Sequence, residues 1–173
     1  MPTEAPTLET PRLRLRAHQP LDWEVCIDLW TNPDVVRFIG GGAVGTRQDI
    51  WFRLLRYAGL WQMTGYGYWL VEERSSGDFV GDVGIADFRR DMTPPITSTP
   101  EAGWVLHPKH HGKGYATEAM QAVLGWADEQ SLPASFCIIA PDNLPSLRVA
   151  NKLGYRPAGE ASLRGETIQL LKR

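Results

Sequence analysis

The chain has 173 residues, a length that fits one domain with a full-sized hydrophobic core. Its apolar fraction of 43% and its charged fraction of 22% are those of ordinary soluble globular proteins. A net charge of −2 supplies no strong electric field, so binding to nucleic acid or to an anionic membrane is not expected.

The N-terminal residues 1–11 are proline-rich and charged, which is typical of a loose leader. They lack the apolar stretch of a signal peptide, and no later run is long enough to span a bilayer. Cys26 and Cys137 fall in a helical and a strand-like pattern, so we expect buried, reduced thiols rather than a disulfide. These features together predict a cytoplasmic protein.

The first third of the chain predicts one strand followed by two helices. In "RLRLRAH", Leu13 and Leu15 alternate with charged residues, which is the pattern of a half-buried strand. Pro20 opens a helix that ends at "TNPD", and the glycines at 40–42 mark a loop. Thr46 is a suitable N-cap for the second helix.

The hydrophobic period changes after this second helix. The runs "YGYWLVEE", "DFVGDVGIADF" and "EAGWVLH" predict three strands, the first two forming a hairpin. Residues 89–100 contain three prolines and are expected to form a loop. A helix at 117–130, the buried strand "SFCIIA", a helix at 144–153 and a terminal strand pair around Arg164–Gly165 complete the order. This order predicts a mixed α/β sheet covered by helices.

The stretch "HPKHHGKGYATEAM", residues 107 to 120, first suggests a metal site because it carries three histidines and a glutamate. His110 and His111 are sequence neighbours, however, and neighbouring side chains point in different directions on most backbones. No HExxH or CxxC spacing is present. We therefore expect no metal site.

The same stretch fits a phosphate site better. A strand is expected to end at Leu106, and the loop Gly112-Lys113-Gly114 leads into a helix near Tyr115. A helix start carries unpaired N–H groups and about half a positive charge. Glycines let the backbone approach an anion such as a pyrophosphate closely. The spacing is neither that of a Walker P-loop nor GxGxxG, so a simple helix-entry loop remains an open alternative.

Two segments, "EAGWVLHPKHHGKGYATEAM" and "PDNLPSLRVANKLGYRPAGE", resemble the GCN5-related N-acetyltransferases (GNAT), especially the ribosomal-protein N-terminal acetyltransferase branch. The resemblance covers nearly the whole chain. It implies a single domain over 1–173 with the GNAT acyl-CoA N-acyltransferase fold. That fold is an α/β arrangement with a mixed, mostly antiparallel central sheet of about seven strands and about four flanking helices.

The resemblance also implies a binding site for acetyl-coenzyme A (acetyl-CoA). The family's loop pattern maps onto His111, Gly114 and Ala116, with His111 where Gln or Arg is usual. The implied cofactor-binding residues are Val105, Leu106, His111, Gly112, Lys113, Gly114, Tyr115, Ala116, Thr117, Asn143 and Ser146. Asn143 would contact the pantetheine arm, although it also fits a simple N-cap. Main-chain N–H groups near Val105 or Leu106, where this family's strand is bulged and splays from its neighbour, would stabilise the thioester oxygen.

The implied reaction is direct transfer of acetyl to a primary amine of a protein N-terminus or a small molecule. Glu101 matches the branch's glutamate and would take the amine proton through water; a solvated strand-end carboxylate is the alternative. The family's acidic tyrosine maps onto Ala150, which cannot donate a proton. Ser146 is the substitute candidate, and the reaction could also proceed without any acid.

The missing tyrosine gives weight to a second hypothesis, a non-catalytic acyl-CoA-binding sensor or scaffold with the same fold. An unrelated nucleotide binder, which would prefer ATP to coenzyme A, is a third. We expect the acceptor site to be built from the first two helices, the 40–42 loop and the proline-rich loop at 91–100. The sequence leaves open whether the protein is a monomer or a homodimer.

Overall fold

The computed structural model describes residues 2–173, which form one nine-stranded sheet with helices on its faces. The strands are β1 (Leu8–Glu9), β2 (Leu13–Arg16), β3 (Tyr68–Glu73), β4 (Phe79–Ala86), β5 (Met92–Thr93), β6 (Glu101–Leu106), β7 (Phe136–Ile139), β8 (Arg156–Leu163) and β9 (Glu166–Lys172). The α-helices are α1 (Trp23–Trp30), α2 (Pro33–Val36), α3 (Arg47–Thr64), α4 (Tyr115–Glu129) and α5 (Leu144–Lys152).

The strand order is β1-β2-β3-β4-β6-β7-β9-β8-β5, and all neighbouring strands are antiparallel except the pair β6 and β7. The predicted mixed, mostly antiparallel sheet with flanking helices is therefore confirmed. The strand count exceeds the expected seven because two-residue strands, β1 and β5, extend the two edges. The additional helix is the four-residue α2.

The expectation of a loose leader over 1–11 is wrong from Ala5 onward. Leu8 pairs with Leu15, which adds β1 to the sheet edge, and Ala5 is buried. The indole Nε1 of Trp69 donates a hydrogen bond of 2.7 Å to the Pro6 carbonyl. Tertiary contacts thus order a segment whose composition alone suggested flexibility.

Two further segments differ from expectation near prolines. Residues 89–100 contain the short edge strand β5, which pairs with β8 before the prolines at 94 and 95 end it. The "TNPD" stretch both ends α1 and starts α2, because the Asn32 side chain accepts a hydrogen bond of 3.0 Å from Asp34 N–H and Pro33 suits a first helical position.

The main core lies between one face of the sheet and α4. It contains Leu13, Val71, Val83, Met120 and Val123, all fully buried. The opposite face carries α1 and α3 over a smaller cluster. Both cysteines are free and buried, as predicted. In the described part of the chain, no helix combines the length and the hydropathy required of a membrane span.

Candidate active site

A gap opens in the middle of the sheet between the parallel strands β6 and β7. Glu101 and Phe136 are the only Cα partners recorded between them, although β6 stays paired with β4 along its whole length. The two strands therefore diverge from Glu101 toward Leu106. Alternate main-chain N–H and C=O groups of β6 face this gap without a strand partner.

The family resemblance implied a bulge in this strand near Val105, and the structure contradicts it. The register between β4 and β6 runs without interruption from Gly81–Leu106 to Ala86–Glu101. Gly81 allows this close approach, because a Cβ at Gly81 would lie 2.2 Å from the Val105 carbonyl oxygen. The splayed strand arises from the lost pairing with β7 alone.

A glycine loop lies at the wide end of the gap, between β6 and α4. Gly112 (φ 75°) and Gly114 (φ 81°) both adopt the left-handed region, which favours glycine. A Cβ at Gly112 would meet no atom within 4 Å. In residues 2–173, the N–H groups of 112 to 117 make no hydrogen bond, and the helical pattern begins with Glu118 N–H donating to the Gly114 carbonyl. The loop thus presents free amides at a helix N-terminus, where an anion is favoured.

The side chain of His111 is used inside the loop. Its Nε2 donates a hydrogen bond of 2.8 Å to the Leu106 carbonyl, which ties the loop to the end of β6. Lys113 lies exposed on the loop. The free amides of this loop therefore remain available even though His111 stands where Gln or Arg is usual.

An N-terminal clamp that the sequence did not reveal holds the first turn of α4. Thr10 Oγ1 donates to Glu118 Oε1 (2.6 Å), and Arg12 Nε donates to Glu118 Oε2 (2.7 Å). Arg12 Nη1 also donates to the Lys113 carbonyl (2.9 Å). Burial raises the pKa of Glu118, but the hydrogen bonds from Thr10 and Arg12 outweigh it and lower this pKa. These partners are more than a hundred residues apart, and no local pattern signals them.

Asn143 and Ser146 lie on the other wall of the gap, after β7. Because β6 and β7 are parallel, their carboxyl ends lie at the same edge of the sheet, beside the glycine loop. Asn143 Oδ1 accepts a hydrogen bond of 3.3 Å from Ser146 N–H and so caps α5. The N-cap alternative is thus an observed contact, whereas a contact of Asn143 with the pantetheine arm stays a prediction.

Glu101 lies at the closed end of the gap, five residue steps from Leu106, or roughly 17 Å at about 3.3 Å per residue. It is 5% exposed, so it is not a solvated strand-end carboxylate. Arg90 binds it with two hydrogen bonds, Nε to Oε2 (2.5 Å) and Nη2 to Oε1 (2.7 Å). A cavity of about 10 Å³, room for about one water molecule, is lined by Phe88, Arg90, Glu101 and Phe136 among others.

The position of the family's acidic tyrosine is occupied by buried Ala150, which belongs to the main core. Tyr155 supplies no acid either, because its hydroxyl shares a hydrogen bond of 2.6 Å with Ser135 and the residue is 1% exposed. Burial raises the pKa of Tyr155 to about 12.

The face of β6 that carries Glu101 is covered by aromatic and cationic side chains that sequence reasoning missed. Tyr68 of β3 lies over Gly103, since a Cβ there would be 2.0 Å from the Tyr68 hydroxyl. Tyr68 stacks on Tyr57 of α3, with ring centroids 4.8 Å apart and planes within 2°. The alternation of β6 puts Glu101 and Gly103 on this same face. Only the tertiary pairing of α3 with β3 reveals this cluster.

The glycine loop at 40–42, expected to contribute to an acceptor site, lies near the β8–β9 hairpin. A Cβ at Gly40 would be 3.8 Å from Arg164 Nη1. Arg164 (φ 55°) and Gly165 (φ 84°) form the predicted turn of this hairpin.

The three histidines of the 107–120 stretch point to different partners. His107 Nε2 pairs with Asp28 (3.0 Å), His111 binds the Leu106 carbonyl, and His110 is buried against Tyr115. Across residues 2–173, no group of three or more His, Cys, Asp or Glu side chains is arranged to hold a metal ion.

The sheet splays at its one parallel pair, and free main-chain amides lie at the wide end of the gap, an arrangement that favours an anionic group. The family model described as "Acetyltransferase (GNAT) domain" matches residues 12–156. The chain belongs to this GNAT family, whose members are acetyl-CoA-dependent acyltransferases.

Individual proteins support this assignment. YkkB of Bacillus subtilis (strain 168), described as uncharacterized, is 30% identical over 154 residues, covering 85% of this chain and 83% of that protein. A structure described as a GnaT-family acetyltransferase from Bordetella pertussis is 30% identical, with a TM-score of 0.85 and coverage of 98% and 99% of the two chains.

RimL, described as a ribosomal L7/L12 α-N-protein acetyltransferase in complex with coenzyme A, is 17% identical. It has a TM-score of 0.79 and covers 97% of each chain. At this identity the likeness concerns the fold.

Proposed function

We propose that this protein transfers acetyl from acetyl-CoA directly to a primary amine of a small molecule or a protein N-terminus. The observation that carries the proposal is the row of free amides at 112–117, at the open end of a gap whose closed end holds Glu101. The distance of roughly 17 Å between these ends suits a long ligand with a diphosphate at one end and a reactive group at the other.

The residues proposed to hold the coenzyme are those that the family resemblance implies, and the free amides of the loop support the first group of them. Main-chain N–H groups of Gly112, Lys113, Gly114, Tyr115, Ala116 and Thr117 would bind the diphosphate, and His111 would keep the loop in shape. Asn143 and Ser146 would line the pantetheine arm from the α5 side. Acetyl-CoA supplies an activated thioester when it is bound.

Three features of the chain would serve the chemistry. Glu101 would accept the amine proton through a water molecule, for which the adjacent cavity of about 10 Å³ has room. Arg90 would keep that carboxylate in place. The main-chain N–H of Leu106 faces the gap and would stabilise developing negative charge, whereas that of Val105 points toward β4. Ser146 is the remaining hydroxyl candidate for an acid, since Ala150 and Tyr155 are excluded.

The second candidate function, a non-catalytic acyl-CoA sensor or scaffold, is favoured by one observation, the buried Ala150 at the acidic position. The two functions differ in turnover. Acetyl-CoA-dependent thiol release with a panel of amines supports the enzyme, whereas coenzyme binding without release supports the sensor. The free buried thiols are consistent with a cytoplasmic setting, and we infer a monomer or homodimer without nucleic-acid or membrane partners.

The diphosphate assignment is tested by Gly114→Val. A β-branched residue is strained at φ 81°, and its Cβ would lie 3.5 Å from Arg12 Nη2, so the variant should distort the loop that carries the amides. We expect the KM for acetyl-CoA to rise at least roughly tenfold, the low end for losing a hydrogen bond to a charged group. Gly125→Ala in the same helix is the control, because a Cβ at Gly125 meets nothing within 4 Å. Equal coenzyme affinity in Gly114→Val and the parent protein would show that this loop does not bind the diphosphate.

A further inference from the structure

We propose that the acceptor amine carries a carboxylate, which Arg53 and Arg56 of α3 bind on the face of the sheet beside Glu101. This inference rests on the proposed function and names the acceptor class for the same site.

The first step is the position of the two arginines. Arg56 precedes Tyr57, which stacks on Tyr68 above Gly103, and Arg53 is one helical turn before it. The guanidinium groups of Arg56 and Arg90 both lie against the Phe88 ring, with carbon-to-centroid distances of 5.8 and 4.6 Å. Arg56 therefore shares the Phe88 ring with the guanidinium that binds Glu101, and Arg53 lies one helical turn earlier on the same helix.

The second step is the balance of charge. The carboxylates near these arginines already have partners. Arg90 binds Glu101, and His18 Nε2 (2.9 Å) and Trp30 Nε1 (2.7 Å) contact fully buried Asp82. Asp49, one helical turn before Arg53, accepts a hydrogen bond of 2.7 Å from Thr46 Oγ1. Arg53 and Arg56 form no ion pair with any of residues 2–173. Two guanidinium groups of α3 therefore lack a carboxylate partner within the described residues.

The third step is the state of Arg53. Its guanidinium carbon lies 3.5 Å from the Trp30 ring centroid, so the flat face is stacked and the in-plane N–H groups point away from the ring. Its Nε is buried and has no hydrogen-bond partner within the described residues. A buried donor without an acceptor is uncommon in proteins. A planar carboxylate is the acceptor that matches the fork of a fixed guanidinium.

The fourth step concerns Arg56, which is exposed at the rim. Partial desolvation, followed by the positive charge of Arg53, lowers the pKa of Arg56. An anion between the two guanidinium groups would relieve this repulsion. The same positive field would favour the neutral form of the acceptor amine, which is the form that attacks, and it would repel polyamines.

The experiment compares acceptors of matched size in the acetyl-CoA-dependent thiol-release assay. The panel contains L-glutamate, L-glutaminamide, 1,4-diaminobutane and O-phosphoethanolamine. We expect kcat/KM for glutamate to exceed that for glutaminamide at least roughly tenfold, and the diamine to be poorest. Peptides with Asp, Asn or Lys at the second position repeat the comparison for N-terminal amines.

Arg56→Gln should abolish the preference by raising the KM for the acidic acceptor roughly tenfold, with the kcat for glutaminamide unchanged. Arg53→Gln, with folding checked by thermal unfolding, should act in the same way. Arg47→Gln is the matched control, because Arg47 lies on the same helix and pairs with exposed Glu24 at 2.8 Å. The control should keep the preference.

Each other outcome overturns the inference. Equal use of neutral, cationic and acidic acceptors would refute the carboxylate while leaving acetyl transfer intact. A preference for O-phosphoethanolamine would replace the carboxylate by a phosphate. If coenzyme binds but no amine releases thiol, the proposed function fails and this inference fails with it.

Discussion

The ion pair between Arg90 and Glu101 provides the sharpest quantitative test of the site. Glu101 is 6% exposed in its side chain and Arg90 33%. Removing one partner of a fully buried pair costs about 3–5 kcal/mol, because the other charge stays buried without compensation. With a third of Arg90 in solvent, we expect Arg90→Met to cost about 2–3 kcal/mol of unfolding free energy. For a chain of this size that corresponds to a fall in Tm of roughly 5–10 °C.

Urea unfolding of the two single variants and the double variant measures this coupling. Glu101→Gln alone should cost less, about 1 kcal/mol, since Arg90 can hydrate. The double variant should be more stable than Arg90→Met, because no unpaired carboxylate remains. If Glu101 takes the amine proton, both variants that lack it should also lose turnover while they still bind acetyl-CoA.

The matched control is Arg89→Met, the preceding residue, whose side chain is 87% exposed and pairs with Asp87 at 3.2 Å. An exposed pair contributes little to stability, so this variant should unfold like the parent protein. If Arg90→Met is no less stable than Arg89→Met, the bidentate pair does not hold Glu101 and the reasoning is refuted.

Three further changes test other parts of the site. Gly103→Ala should destabilise the fold by about 1–3 kcal/mol, because its Cβ would lie 2.0 Å from the Tyr68 hydroxyl. A Tyr68→Phe background should relieve part of this cost. If the parent protein and Gly103→Ala have the same Tm, Tyr68 does not pack over Gly103. Burial first, then the charges of Lys113 and Lys109, lower the pKa of His110 from 6.5. The unfolded chain therefore takes up this proton at a higher pH than the folded chain, so stability should fall as the pH drops through about 6.5. His110→Gln should lose less stability between pH 7.5 and 5.5 than the parent in urea unfolding, and an identical pH dependence would argue against the shift. Asn143→Ser keeps an N-cap oxygen but removes the side-chain amide, so the unfolding free energy should stay the same while the KM for acetyl-CoA rises. An unchanged KM would mean that Asn143 only caps α5.

The sequence by itself determined the local elements and the glycine loop. Alternation around Leu13 and Leu15, the Thr46 cap and the Gly112–Gly114 pair are local signals, because strand, cap and turn preferences depend on a residue and its near neighbours. The two motif segments were long enough to indicate the family, which the matching family model confirmed. The sequence pattern also predicted that Glu101 begins a strand, as it does in β6.

Only the tertiary structure decided what surrounds those residues. The Arg12–Glu118 clamp joins residues 106 positions apart, and the stacking of Tyr57 on Tyr68 depends on how α3 lies on the sheet. The N-terminal segment is ordered because Leu8 pairs with Leu15 at the sheet edge and the Trp69 indole donates a hydrogen bond to the Pro6 carbonyl. Burial and pairing of charges are properties of the packed chain, since desolvation depends on every neighbouring element at once. Local pattern could propose Glu101 as a base, but it could not show that Arg90 binds it, or that Arg53 stacks on Trp30 with its Nε lacking a partner among residues 2–173.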